Sequence, residues 1–383
     1  MKYADEFRDP ELARSLVTEI SRLADTLAAG QPRPVQVMEV CGGHTHTIFR
    51  YGLKDLLPES IEFVHGPGCP VCVLPMGRVD DCLAIATHPE VIMTTFGDAM
   101  RVPGSKLSLL QAKAAGADVR TVYSPLDALK IAQKHPDKEV VFFGLGFETT
   151  MPSTAMTVLQ AEAMGVRNFS LFCNHITIIP TMTAILDEPD LQIDGFLGPG
   201  HVSMVIGTRP YEFIAQRYRK PLVVSGFEPL DILQSLWMVL KQLAEGRREI
   251  ENQYKRVALS EGNGPALAAI ERVFETREFF EWRGLGSIDH SGVRMRPEYA
   301  AFDAERKFSV PNLKVVDPKA CQCGEVLKGI IKPSQCQVFG TLCTPETPMG
   351  ALMVSSEGAC AAYHQYSRIT FVKREPAVMA TAP

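Results

Sequence analysis

Between Val35 and Ser225, short apolar runs rich in β-branched residues alternate with longer segments of helical periodicity. This alternation constrains the chain most, because strands separated by helices are joined by crossovers, and crossovers build parallel sheets. Eight runs read as strands: Val35–Val40, Ile61–Val64, Val91–Thr95, Val119–Tyr123, Val140–Gly144, Phe169–Cys173, Ile193–Leu197 and Leu222–Ser225. Several are near-continuous apolar stretches, which suits strands covered by helices on both faces. The expected class is α/β, with doubly wound parallel sheets.

Eight strands divide into two groups of four. The helix and polar loop SPLDALKIAQKHPDK marks the boundary, giving an N-terminal domain over 1–130 and a second over 131–236. GPG at Gly66–Gly68 recurs at Gly198–Gly200, and PLDAL at Pro125–Leu129 echoes PLDIL at Pro229–Leu233. The spacings differ, so duplication is one reading of the echo and no more. Beyond Trp237 a charged helix, LKQLAEGRREIENQYKRV, leads into loop-rich sequence and a cysteine-rich tail. A third, smaller unit over 237–383 is expected there, held together by a cofactor.

Ten cysteines need an explanation that depends on compartment. The opening residues mix acids and bases without the apolar core of a secretory signal, and read as an amphipathic helix. No apolar run approaches the ~20 residues that span a bilayer. A net charge of −5 gives no footing for nucleic acid or an anionic membrane surface. The chain therefore reads as cytoplasmic, where clustered cysteines signal metal binding or redox chemistry rather than structural disulfides. Cys82 and Cys173 stand apart and suit small buried hydrophobes.

Three segments follow expected strands: CGGHTH (Cys41–His46), GPGCPVC (Gly66–Cys72) and FGDAMRVPG (Phe96–Gly104). Open α/β sheets gather functional groups beyond their carboxyl ends, so adjacent strands would bring Cys41 to Cys69 and Cys72. Cys69-Pro-Val-Cys72 has the spacing of a dithiol–disulfide pair or of half a metal site. A Cys₃His zinc site drawing on Cys41 and on His44, His46 or His65 stays open. A thioredoxin-like role fits less well, since the pair lies in a Gly/Pro-rich loop. In extended backbone His44 and His46 would point apart, leaving one of them, His44, as an acid/base or supporting group beside Cys41. In the second group, Glu148, His175 and His201 lie at matching strand ends as candidate ligand-binding groups. Helix capping and turn chemistry would place them there equally well.

The tail holds Cys321, Cys323, Cys336, Cys343 and Cys360. Four thiolates without nearby histidine suit zinc or a [4Fe–4S] cluster. Spacings of 13, 7 and 17 from Cys323 onward lack paired zinc knuckles and favour the cluster, with one of the five cysteines spare.

CGGHTHTIFRYGL, FVHGPGCPVCVLPMGR, TFGDAMRVPGS, FFGLGFETTMPSTA, CNHITIIPT, GPGHVSMVIG, GFEPLDILQ, ENQYKR, EWRGLG and MVSSEGAC together resemble the HypD family, maturation factors for the iron centre of [NiFe]-hydrogenases. The likeness runs from about Tyr3 to Tyr366. It implies two Rossmann-like α/β units plus an iron–sulfur domain. It also implies work with a HypC-type small chaperone and a HypE-type cyanide donor, on a Fe(CN)₂CO group destined for the hydrogenase large subunit. Carried over, the iron site falls on Cys41 and the redox pair on Cys69 and Cys72, each counted as a metal-site residue. The cluster ligands fall on Cys323, Cys336, Cys343 and Cys360. Cys321 is the spare, because the family's C-G-E-V-L pattern begins at Cys323. Such a chain is a redox-active assembly scaffold rather than a free-standing small-molecule enzyme. A zinc-stabilised interaction protein and a general disulfide oxidoreductase are the competing readings.

Overall fold

The computed structural model describes residues 5–30, 32–189, 191–310 and 314–366. All eight expected strands are present: β1 (Val35–Glu39), β2 (Ile61–His65), β3 (Val91–Thr95), β4 (Val119–Thr121), β5 (Glu139–Gly146), β6 (Phe169–His175), β7 (Gly195–Pro199) and β8 (Leu222–Ser225). The N-terminal amphipathic helix is also present, as Pro10–Ala28. A ninth strand, β9 (Ile250–Asn252), lies where the charged helix was expected to continue. That helix spans Pro229–Ala244 and is stopped by Gly246, whose φ of +70° is the left-handed conformation glycine adopts freely.

These nine strands form two parallel sheets, ordered β2-β1-β7-β8-β9 and β4-β3-β5-β6. The α/β class with parallel sheets is as expected, but the four-and-four grouping of strands along the sequence is corrected. The first sheet takes β1 and β2 from one end of the alternating region and β7 and β8 from the other, while the second takes the four between. Packing explains the exchange. Helix Pro10–Ala28 lies on helix Pro229–Ala244, and Ile20, Leu23, Leu236 and Val239 close one core with Val37 of β1, Leu197 of β7 and Val223 of β8. The expected boundaries after residues 130 and 236 fall inside the helices Pro125–Lys134 and Pro229–Ala244.

Helix Gly264–Val273 packs on helix Met151–Ala163 beside the second sheet. Four short strands follow, β10 (Phe274–Thr276), β11 (Phe279–Trp282), β12 (Gly286–Asp289) and β13 (Val293–Met295). They pair antiparallel, β10 with β13 and β11 with β12. The cysteine-rich segment consists of turns and short helices, including Cys323–Leu327 and Ala359–Tyr366. Its Val326, Leu327, Leu352 and Met353 share one core with Met38 and Val64 of the first sheet and Met93 and Phe143 of the second. No helix among the described residues is long and apolar enough to cross a membrane.

Each sheet reverses its winding once, between β1 and β7 and between β3 and β5. Loops leaving the carboxyl ends at such a point diverge and open a crevice. Cys41 follows β1, His201 follows β7, Asp98 follows β3 and Glu148 follows β5.

Candidate functional site

Beyond β1 the chain stays extended through Cys41 (φ −148°, ψ 124°), which caps the helix Gly42–Arg50. The extended course expected for CGGHTH is thereby corrected. His44 and His46 still diverge, because residues two apart on a helix are rotated by about 200°. His44 is fully buried, with Nε2 3.2 Å from the Ser225 carbonyl oxygen and its ring 4.9 Å from that of Phe227. Its Nδ1 has no hydrogen-bond partner, and burial lowers its basicity. The His46 ring meets Tyr366 edge-on.

The Cys41 thiol is nearly closed off. Burial and the nearby Glu357 carboxylate, with Glu39 adding to them, push it well above its ordinary value, against the amide groups of Gly43 and His44. Such a thiol stays protonated until a cation arrives. The same carboxylates would then stabilise the cation and favour the thiolate. Glu39 is itself fully buried at the end of β1, accepting from the Cys41 amide (3.0 Å), the Thr45 hydroxyl and His65 Nδ1 (2.8 Å).

The GPGCPVC loop is tied to this turn by backbone. Gly66 donates to the Glu39 carbonyl at 2.9 Å, and Gly42 donates to the Gly68 carbonyl at 3.1 Å. A Cβ at Gly68 would lie 2.2 Å from the Cys41 nitrogen, so a side chain there cannot coexist with this approach. Cys69 and Cys72 are buried and joined as a disulfide, with Cα atoms 5.2 Å apart. The pair lies in a turn before helix Met76–Ala86, not at a helix start.

One segment of the tail, Ser355–Cys360, packs on both the Cys41 turn and the Cys69–Cys72 loop. Glu357 packs on Gly42, where an added Cβ would meet Glu357 Oε2 at 2.7 Å. Gly358 packs on the disulfide, where an added Cβ would lie 3.0 Å from Cys72 Sγ. Arg101, from FGDAMRVPG, holds the Val354 carbonyl just upstream. Burial, Asp98 and Glu39 together raise the Glu357 carboxyl. At the other end of the segment, Cys360 lies close enough to Cys323 to raise its thiol.

Cys321 Sγ lies 3.1 Å from Cys323 Sγ, and the Met349 amide points at Cys343 Sγ from 3.4 Å. Cys336 opens a turn closed by Phe339, and Phe339 in turn bridges to Cys343. Among the described residues no three His, Cys, Asp or Glu side chains already stand in metal-holding geometry. The donor set nevertheless fits an iron–sulfur cluster. It consists of thiols only, Cys323, Cys343 and Cys360 are buried, and an amide hydrogen is aimed at one sulfur.

At the winding reversal of the second sheet, Glu148 is buried, with Oε1 accepting the Ile178 amide at 3.1 Å and Oε2 unpartnered. Burial pushes its carboxyl up to about 7. Tyr211 is fully buried, its hydroxyl accepting from the Ser203 hydroxyl at 3.2 Å, and burial raises it well above its ordinary value. His175 is internal, 3.3 Å from the Thr154 hydroxyl and pushed down to about 3 by burial. His201 stacks on Phe227 at 3.7 Å, beside Gly43. Cys82 and Cys173 are buried within the fold, as expected. Sequence reasoning missed Glu39, Tyr211, Phe227 and Glu357. A lone carboxylate ending the apolar run VQVMEV was the available signal for Glu39.

The family model described as HypD, hydrogenase formation hypA family, matches residues 11–367. The chain is 63% identical over 370 residues to the hydrogenase maturation factor HypD of Rhodobacter capsulatus, covering 96% of this chain and 98% of that protein. To the hydrogenase maturation factor HypD of Escherichia coli (strain K12) it is 58% identical over 366 residues, with the same coverages. A third relative, from Rhizobium leguminosarum bv. viciae and of the same name, is 54% identical over 375 residues, covering 96% of each chain.

Proposed function

The chain belongs to the HypD family, and from that membership we propose that it serves hydrogenase maturation as a redox-active scaffold on which cyanide is transferred to iron. The observation that carries this reading is the Ser355–Cys360 segment. It lies against the Cys41 turn, against the Cys69–Cys72 disulfide and against Cys323 at once.

In this reading the iron is cargo, held by the Cys41 thiolate together with a cysteine of a HypC-type small chaperone. The negative charges of Glu39 and Glu357 favour a cation there. A HypE-type partner presents cyanide as a thiocyanate, R–S–CN. Breaking the S–CN bond to leave a thiolate and cyanide consumes two electrons. The reduced Cys69–Cys72 dithiol supplies both as its S–S bond forms and its two protons leave. The disulfide is the spent form of that pair. Cys323, Cys336, Cys343 and Cys360 would hold a [4Fe–4S] cluster, which when bound supplies electrons one at a time beside the disulfide. The completed group then passes indirectly to the hydrogenase large subunit. His44 shares the turn with Cys41, and its unpartnered Nδ1 is the site that would accept a proton; burial lowers its basicity, so the Glu39 charge must offset that cost.

The test is infrared spectroscopy of the anaerobically isolated complex with the small chaperone. Cys41→Ala is expected to lose the Fe–CN and Fe–CO bands, and full bands would refute the iron role. Cys69→Ser is expected to keep the cluster's visible and paramagnetic spectra while losing cyanide transfer. A colourless protein containing zinc would favour a zinc-stabilised interaction protein instead.

A further inference from the structure

Cys321 is the tail cysteine to which the proposed function gives no task, yet it is not isolated. Its thiol donates to Cys323 Sγ at 3.1 Å, about 1 Å beyond a covalent S–S bond. Gly350 presses on both sulfurs. A Cβ there would lie 2.4 Å from Cys323 Sγ and 2.5 Å from Cys321 Sγ, so the backbone keeps the two on one side. The residue between them turns its side chain elsewhere, Gln322 Nε2 donating to Glu325 at 2.8 Å and its Oε1 accepting the Gln337 amide at 3.1 Å. Both cysteines line an open pocket of about 320 Å³ with Gly284, Asp317 and Lys328. Cys321 is partly exposed there, and Cys323, lining the same pocket, is buried.

We infer that Cys321 and Cys323 form a second dithiol–disulfide pair, separate from Cys69–Cys72, which closes across Gln322 when Cys323 carries no cluster. The accessible sulfur reacts first. With a small-molecule disulfide such as oxidised glutathione, Cys321 attacks one sulfur and expels a glutathione thiolate. Cys323 then attacks the Cys321 sulfur of the mixed disulfide and expels the second. One S–S bond breaks and one forms, and the two cysteine protons pass to the two glutathione thiolates. The closed pair withholds Cys323, so placing a cluster requires a dithiol reductant first. This consequence rests on the reading that Cys323 is a cluster ligand.

The chain's own cleavage sites make the test selective. Trypsin cuts after Lys319 and Lys328, releasing Ala320–Lys328 with both cysteines, whereas Cys360 falls on a different peptide. Full-length protein isolated without its cluster is exposed to oxidised glutathione, alkylated, digested and weighed. The expected product is Ala320–Lys328 lighter by two hydrogens and unalkylated, with Cys323 becoming alkylated in Cys321→Ser. Alkylation of both cysteines, or a link from Cys323 to Cys360, would overturn the pair. Iron and sulfide are then supplied without thiol. The oxidised wild type is expected to stay colourless until dithiothreitol is added, and Cys321→Ser to colour directly. If the disulfide peptide forms but the oxidised wild type colours as readily as the variant, the pair stands and the assignment of Cys323 as a ligand fails.

Discussion

Glu148 sits where a carboxylate is costly to ionise, sealed at the carboxyl end of β5 with one oxygen unpartnered. Its native carboxyl titrates near 7, against 4.5 for an unhindered glutamate. Between those values the unfolded chain releases a proton that the native state keeps. Native stability therefore falls as pH rises through the window, by an amount approaching about 3 kcal/mol. Glu148→Gln keeps an oxygen for the Ile178 amide and removes the titration. The difference in urea midpoint between variant and wild type should shift in the variant's favour from pH 4.5 to 7 and level off above. A difference independent of pH would show that Glu148 titrates normally. The sequence singled out Glu148 as a strand-end residue, but its burial depends on packing remote in sequence.

Helix Pro229–Ala244 shows how an element can look like the start of a new unit and belong to an old one. Its charged continuation, LAEGRREIEN, breaks at Gly246 and becomes β9, the edge of the first sheet. Leu236 is fully buried against β1, β7 and β8 through Val37, Leu197 and Val223. Leu236→Ala should cost about 2–5 kcal/mol, the range for emptying a buried leucine site. The loss should appear as one shifted urea transition, coincident by circular dichroism and by fluorescence of Trp237 and Trp282. Separate transitions would mean that the helix unfolds as part of an independent unit.

Across the whole molecule, a partly buried network of charge stitches the redox loop to the C-terminal half. Arg78, on the helix just after Cys72, and Arg277, after β10, both bind Glu305. Arg78 also reaches Asn174 and the Cys173 carbonyl of β6. Burial alone would raise the Glu305 carboxyl, but the two guanidinium groups outweigh it and hold the group below its ordinary value. Its contribution is thus present above the ordinary carboxylate range and lost as pH falls through the depressed native value. Glu305→Ala leaves two arginines short of a partner and should cost about 3 kcal/mol at neutral pH. The deficit relative to wild type should shrink under acid, as urea titrations at neutral and low pH would reveal. A deficit unchanged by acid would point to lost packing alone.

The sequence by itself determined the alternation of strands and helices, the two groups of cysteines and the family motifs. These are local properties, since an apolar run of five residues flanked by helical periodicity reads as a strand wherever it ends up. Tertiary structure alone decided which strands share a sheet. Parallel strands are joined by crossovers, so no turn signal announces that β1 lies beside β7 across more than 150 residues. It also decided that Ser355–Cys360 lies against Gly42 and Cys72, because close approach at Gly42, Gly68 and Gly358 depends on the shape of surfaces remote in sequence. Cys321, unassigned on spacing, acquired a partner for the same reason: Gly350, remote in sequence, packs against its sulfur and that of Cys323 together.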